Sequence, residues 1–240
     1  MDFLNAIILI SNFIIVPAIT YGSQLALGAI GVTLIYGVLR FANFAYGDLM
    51  AFGTMIVILF TWFLQSKGIT FGLLPTAILA LPIGILFTIA ISLFFDKTVF
   101  EYYREKKSNP VTFIVVSLGI MFVLNAVVRI IIGPNDINFM DGHKFIMKAR
   151  EFKQLTGLNE GLAIKSTQVI TLITTIITCS LLFYFLNKTK TGKSMRAYSD
   201  NEDLALLSGI DPKKIIILTW VIVSILATVA GTLYGLDKSF

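Results

Sequence analysis

Residues 215–236 read IIILTWVIVSILATVAGTLYGL, a run with no charged side chain. As a helix rising 1.5 Å per residue, such a run crosses the ~30 Å hydrocarbon core of a bilayer. Within it, Ala227, Gly231 and Gly235 recur every four residues, and so do Ser224, Thr228 and Thr232. That spacing stacks side chains on one helix face. Small residues there let two backbones approach closely, which matters in lipid because no hydrophobic force drives helices together.

The rest of the chain has the same character. Of 240 residues, 56% are hydrophobic and 14% charged, against about a quarter charged in a soluble domain. Further apolar runs lie at about 3–20, 23–39, 49–64, 71–95, 111–132 and 167–186. With 215–236 they predict about seven spans in a single transmembrane domain over 1–240: an all-α integral membrane protein, a polytopic helical bundle. The first run lacks a basic leader and a small-residue cleavage site, so it reads as a retained span and not a signal peptide. Ala29, Thr33 and Gly37 repeat the four-residue small stripe on the second run. Pro75 and Pro82 predict a bend in the fourth. Arg129, near the end of the fifth, can snorkel towards an interface.

The formal net charge of +5 collects in loops, where it is an orientation signal and not a nucleic-acid footprint. Residues 96–110 carry Lys97, Arg104, Lys106 and Lys107. Residues 187–214 carry Lys188, Lys190, Lys193, Arg196, Lys213 and Lys214. Two spans separate these loops, so both lie on one side, which the positive-inside rule makes the cytoplasm. Counting back through four spans places the N-terminus there too, and 133–166 outside.

Two polar stretches interrupt the apolar pattern. Residues 188–212, KTKTGKSMRAYSDNEDLALLSGIDP, are longer than a turn requires. Ser199 and Glu202 have the spacing of a capping box, Gly209 can end a helix, and Asp211-Pro212 can start the next. A short cytoplasmic helix over about 200–208 follows. It is either a solvated connector or, since it shows Leu204, Leu206 and Leu207, a helix that docks in a partner's groove. The second stretch, Asn43 to Gly53 (NFAYGDLMAFG), sets Asn43, Gly47 and Asp48 between apolar runs. Asp48 can cap the third helix and pair with Arg40. The segment can also be broken or re-entrant beside a solute path, where irregular backbone is tolerated.

Catalytic chemistry finds no footing. The single histidine, His143, and the single cysteine, Cys179, do not make a metal set, and Cys179 reads as a packing residue. No phosphate-binding loop is present. Asp48 and Asp96 lie at span ends, which argues against a proton relay within the spans.

Residues 34–53, LIYGVLRFANFAYGDLMAFG, resemble the N-terminal signature of the branched-chain amino-acid ABC-transporter permeases, the LivH-like inner-membrane subunits. The family usually has histidine where this chain has Tyr46. Residues 191–197 (TGKSMRA) with 205–211 (ALLSGID) resemble the family's cytoplasmic loop, which docks on the ATPase. The basic 100–106 segment also sits where the family has a cytoplasmic loop. The resemblance implies a transmembrane subunit of an ATP-driven importer of leucine, isoleucine and valine in the bacterial plasma membrane. Its implied partners are two ATPase subunits carrying ATP and Mg, a second homologous permease and an extracytoplasmic solute-binding protein. It implies no cofactor in this chain, no catalysis by it and no nucleic acid. Gly192, Arg196, Ala205, Leu207 and Gly209 would couple to the ATPase. Asn43, Tyr46, Gly47 and Asp48 would border the path. The family continues past the position of Phe240, so the resemblance implies that this chain lacks its C-terminal spans. Urea or amide transport within the same family, an ATP-independent channel or secondary transporter, and a membrane enzyme are the competing readings.

Overall fold

The computed structural model describes residues 2–70, 72, 74–133, 137, 139, 145–156 and 160–238. His143 lies outside them. Among the described residues six helices are long and apolar enough to cross a membrane. In chain order the elements are α1 (Asp2–Ile10), a π-helical turn (Ser11–Ile15), α2 (Val16–Leu39), α3 (Tyr46–Ser66), α4 (Ala77–Phe95), a second π-helical turn (Asp96–Phe100), α5 (Glu101–Glu105) and α6 (Pro110–Ile132). There follow β1 (Phe145–Met147), α7 (Ala149–Thr156), β2 (Ile164–Lys165), α8 (Ser166–Lys188), α9 (Lys190–Asp200), α10 (Glu202–Leu207) and α11 (Pro212–Asp237). β1 and β2 pair antiparallel.

The first two apolar runs are one helix. Tyr21 and Gly22, the two residues between those runs, are helical within α2, since one glycine costs a helix only about 1 kcal/mol. Pro17 sits in the first turn of α2, just after the π-helical turn. The amide that proline lacks is therefore removed where the ladder is already irregular. Asn5–Leu39 is continuous, so about seven apolar runs become six candidate spans.

This alters the parity count. Glu160 N–H donates to Asn5 Oδ1 (3.4 Å) and Ala163 N–H to Asn12 Oδ1 (3.3 Å). The far end of α2 reaches α9 instead, where the Arg40 guanidinium donates to the Ser199 carbonyl. The N-terminus and the 189–211 segment thus lie at opposite ends of the bundle, not at the same end as two separate spans would require.

Helix α11 runs through the middle, buried along nearly its whole length beside α2, α3 and α4. Its small stripe does what the spacing predicts. A Cβ added to Gly231 would lie 2.3 Å from Thr54 Oγ1 and 2.9 Å from the Met50 carbonyl, and one on Gly53 would lie 2.7 Å from Thr228 Oγ1. Hydroxyls join the close-packed helices: Ser92 to Ser224 (2.7 Å) and Thr228 to Thr88 (2.9 Å). The α2 stripe differs. Its buried face is Thr20, Gln24, Leu27, Gly31, Ile35 and Val38, while Ala29 and Thr33 point outward. Pro82 lies inside α4, whereas Pro75 precedes it.

At one end of the bundle Phe41 stacks between Phe100 (5.2 Å) and Phe113 (5.1 Å), and Phe100 on Trp220 (5.5 Å). Asp96 is buried there. It accepts two bonds from Arg104 (2.7 and 3.0 Å) and one from Trp220 Nε1 (2.7 Å), which compensates a carboxylate's loss of water.

Candidate functional site: a broken segment at mid-depth and the helix pair tied to it

Between α2 and α3 the backbone is not helical. Arg40 ends α2 in the left-handed region (φ 61°), a conformation that disfavours a residue with a Cβ. Residues 41–45 then run back into the bundle. Phe44 N–H donates to Ser117 Oγ (3.1 Å) and Ala45 N–H to Asn43 Oδ1 (3.0 Å). Side chains thus satisfy amides that a helix would have paired, the condition for irregular backbone at membrane depth. Helix α3 starts well inside. Leu49, Ser92, Leu124 and Trp220 border one small void, and Ser92 bonds Ser224, roughly 18 Å along α11 from Pro212.

Asn43, Tyr46 and Gly47 come together with Gln24, Leu25, Gly28, Ala29, Val32, Met50, Ala230 and Tyr234 around an open groove of about 530 Å³. Tyr46 is buried, and its hydroxyl fills the space left by Gly31, where an added Cβ would collide with it. That hydroxyl has no hydrogen-bond partner among the described residues. Asp48 sits on the first turn of α3, but it neither caps the helix by a side-chain bond nor pairs with Arg40. Its Oδ1 accepts from Asn125 Nδ2 (2.9 Å), and Asn125 Oδ1 accepts from Arg129 Nε (2.9 Å). Arg129 therefore turns back along α6 and does not snorkel to the helix end.

The 189–211 segment is two helices, not one. Thr189 caps α9 by accepting from Gly192 N (3.0 Å). Gly192 fits so closely under α8 that a Cβ would lie 2.1 Å from the Phe185 carbonyl oxygen. Met195 and Tyr198 bury against Val38, Ala205 and Ile215. Asn201, and not Ser199, caps α10, accepting from Leu204 N (3.0 Å). Ser199 Oγ donates instead to the Gly37 carbonyl (2.8 Å), and Glu202 accepts from the Tyr198 hydroxyl (2.7 Å). Burial, then Glu202, raises the Tyr198 phenol above its ordinary range, so it remains a neutral donor. Gly209 (φ 80°) closes α10: its N–H donates to the Leu206 carbonyl and that of Ile210 to Ala205 (both 3.0 Å), the paired pattern of a left-handed helix stop. Asp211 caps α11 through Lys213 N (3.0 Å), with Pro212 at the first helical position.

Ala205 faces in, whereas Leu204 is exposed and Leu207 is 86% exposed. Arg196 is exposed and donates to Asn187 Oδ1 (2.8 Å). The two polar stretches also meet. The Arg40 guanidinium donates to the Ser199 carbonyl and, at 3.4 Å, to that of Asp200. It thereby places a cation at the C-terminal end of α9, where the helix dipole favours one. Sequence reasoning missed this tie, along with Gln24 and Ser117. Gln24 carried a signal, being a lone amide in an apolar run.

A family described as "Branched-chain amino acid transport system / permease component" matches residues 14–239. The "High-affinity branched-chain amino acid transport system permease protein LivH" of Salmonella typhimurium is 26% identical over 90% of this chain and 68% of its own length. The corresponding BraD protein of Pseudomonas aeruginosa is 26% identical over 93% of this chain and 70% of its own. A "Probable branched-chain amino acid transport permease protein LivH" of Methanocaldococcus jannaschii is 28% identical over 92% and 65%. No solved structure matches. With its six apolar helices and a match over nearly all its length, this chain is a multi-pass membrane protein that belongs to the family of branched-chain amino acid transport system permease components.

Proposed function

We propose that the chain is the transmembrane subunit of an ATP-driven importer of branched-chain amino acids. In this reading α9 and α10 form the surface that partner ATPase subunits push or pull, and residues 43–48 border the solute path. A second permease completes that path, and an extracytoplasmic binding protein delivers the solute. ATP and Mg belong to the ATPases. The basic residues of 96–110 and 187–214 put the α9–α10 end in the cytoplasm, so the N-terminus lies on the other side. One observation carries the reading. A doubly capped helix leaves Leu207 bare to water, while its neighbour α9 is tied through Arg40 to the broken segment. An ATPase that contacts α10 differently in its open and closed states shifts that connection by its differential affinity, which is all that coupling requires.

Leu207→Asp tests this. The change sits on a fully solvated face, so the subunit inserts and folds as before, within roughly 0.5 kcal/mol. ATPase subunits that co-purify with the unaltered chain are lost at least tenfold from the variant. Undiminished co-purification refutes the coupling surface.

A further inference from the structure

Two buried side-chain atoms with no hydrogen-bond partner among the described residues, Gln24 Oε1 and the Tyr46 hydroxyl, belong to residues that line the same groove. Buried polar atoms are nearly always paired, and an unpaired one is costly. Gln24 is a lone carboxamide in the apolar helix α2 and is only 3% exposed. Its Nε2 donates to the Leu233 carbonyl of α11 (3.3 Å). That bond fixes the orientation of the carboxamide, because a carbonyl takes only its NH₂ end. The oxygen remains as an acceptor with nothing to accept. Leucine or methionine at this position would line an apolar groove without that cost, so a polar residue there points to a ligand that supplies the missing donor.

The lining of the groove narrows what that ligand is. Among the described residues no Asp, Glu, Lys or Arg lines it, and much of its wall is Leu25, Gly28, Ala29, Val32 and Met50. A simple ion entering it loses water and gains no counter-charge, whereas a zwitterion brings its own. The α-ammonium of an amino acid has three N–H donors to offer the Gln24 oxygen, and an aliphatic side chain matches the wall. Urea also carries N–H donors, but it leaves that wall uncovered.

One end of the groove has the composition of a membrane–water interface. Tyr234 lines it, the Tyr21 ring lies 6.4 Å from the Tyr234 ring, and the Lys238 ammonium sits 4.5 Å from the first ring and 5.5 Å from the second. Gln24 follows Tyr21 by three residues, about one helical turn. The Tyr46 hydroxyl lies against Gly31, about 10 Å along α2 from Gln24. One amino-acid head group therefore meets Gln24 without reaching the Tyr46 hydroxyl.

We propose that Gln24 is a recognition residue of the solute path. Its Oε1 accepts from the α-ammonium of a zwitterionic aliphatic amino acid, and the solute's side chain lies on Gly28 and Ala29, about one turn further in. The proposal rests on the reading that residues 43–48 border the path, since Asn43, Tyr46 and Gly47 line the same groove.

The test uses the whole transporter, with its partner permease, ATPases and binding protein, in proteoliposomes and in a Cys179→Ser background. Ala29→Cys places a reporter thiol in the groove, and a membrane-impermeant thiol reagent is expected to label it. Leucine-loaded binding protein with ATP slows labelling at least threefold relative to empty binding protein with ATP. Urea at the same concentration leaves labelling unchanged. Adding Gln24→Leu abolishes the protection. Without the reporter, Gln24→Leu lowers leucine uptake at least tenfold at an unchanged melting temperature. Gln24→Glu, which keeps an acceptor oxygen at that place, restores at least a third of the uptake. If the carboxamide serves only to hold the Leu233 carbonyl, Gln24→Glu transports as poorly as Gln24→Leu and both variants melt lower. That result overturns the recognition role. So does a reporter that does not label, protection that survives Gln24→Leu, protection by urea as strong as by leucine, or full uptake by Gln24→Leu. Each of these leaves the importer reading standing. Absence of leucine uptake by the unaltered complex overturns the importer reading, and the role of Gln24 with it.

Discussion

Two helices carry the same four-residue stripe of small side chains, and the fold treats them in opposite ways. On α11, Ala227, Gly231 and Gly235 are enclosed by α3, α4 and their neighbours. On α2, Ala29 and Thr33 look outward, and Ala29 lines the groove. The spacing encodes close approach in both cases, but it does not say what approaches. In α11 the neighbour is this chain, and the stripe contributes to stability. In α2 Ala29 and Thr33 stay exposed, and Gly37 is met by Ser199 of α9.

Four substitutions probe that difference, in descending order of effect. Gly231→Leu forces a branched side chain against Thr54 and the Met50 carbonyl. Overpacking of this kind costs about 3 kcal/mol or more where backbone is in the way, so little folded protein should survive detergent extraction. Arg40→Gln removes the cation from the end of α9 at a cost of about 1–2 kcal/mol. The melting temperature should fall by a few degrees, and ATP hydrolysis should proceed with less solute moved per ATP. Ala29→Trp, on the open stripe, should leave the melting temperature unchanged, within roughly 0.5 kcal/mol. It should nevertheless lower uptake at least tenfold by occluding the groove. If it destabilises as Gly231→Leu does, the contrast between the stripes is false. Tyr46→Phe is the mildest. Deleting a buried hydroxyl that has no partner among the described residues should leave stability level or raise it by up to about 1 kcal/mol, as measured by thermal unfolding.

The sequence showed which segments are helical and apolar because hydropathy and caps are local properties. The Asp211-Pro212 start and the Gly209 stop follow from backbone chemistry within a few residues, and both stand in the structure. What depended on a distant partner could not be read. Ser199 and Glu202 have the spacing of a capping box, yet Ser199 is drawn off by the Gly37 carbonyl 162 residues away in sequence, and Asn201 caps in its place. Asp48 beside Arg40 suggested a local ion pair, but each has a better partner across the bundle, Asn125 and the end of α9. The first two apolar runs join at Tyr21-Gly22 into one helix. A dipeptide that permits a turn does not force one when the flanking helix continues in register. For the candidate site, the residues at 43–48 were legible, whereas the groove wall they share with α2 was not.

The joined first helix has a mechanical consequence. Thirty-five helical residues from Asn5 to Leu39 measure roughly 50 Å, well over the ~30 Å of hydrocarbon that a span must cover. The surplus has to be taken up as tilt or as overhang. The contacts of Asn5 and Asn12 with the backbone at 160 and 163 tether that surplus to the loop. The result is a strut that begins beside the loop and ends at Arg40, against α9. The π-helical turn at Ser11–Ile15 lies near the loop end, and from Val16 to Leu39 the helix is unbroken. The loop at 160–163 and the last turn of α9 are thus joined by one helix longer than the hydrocarbon is thick.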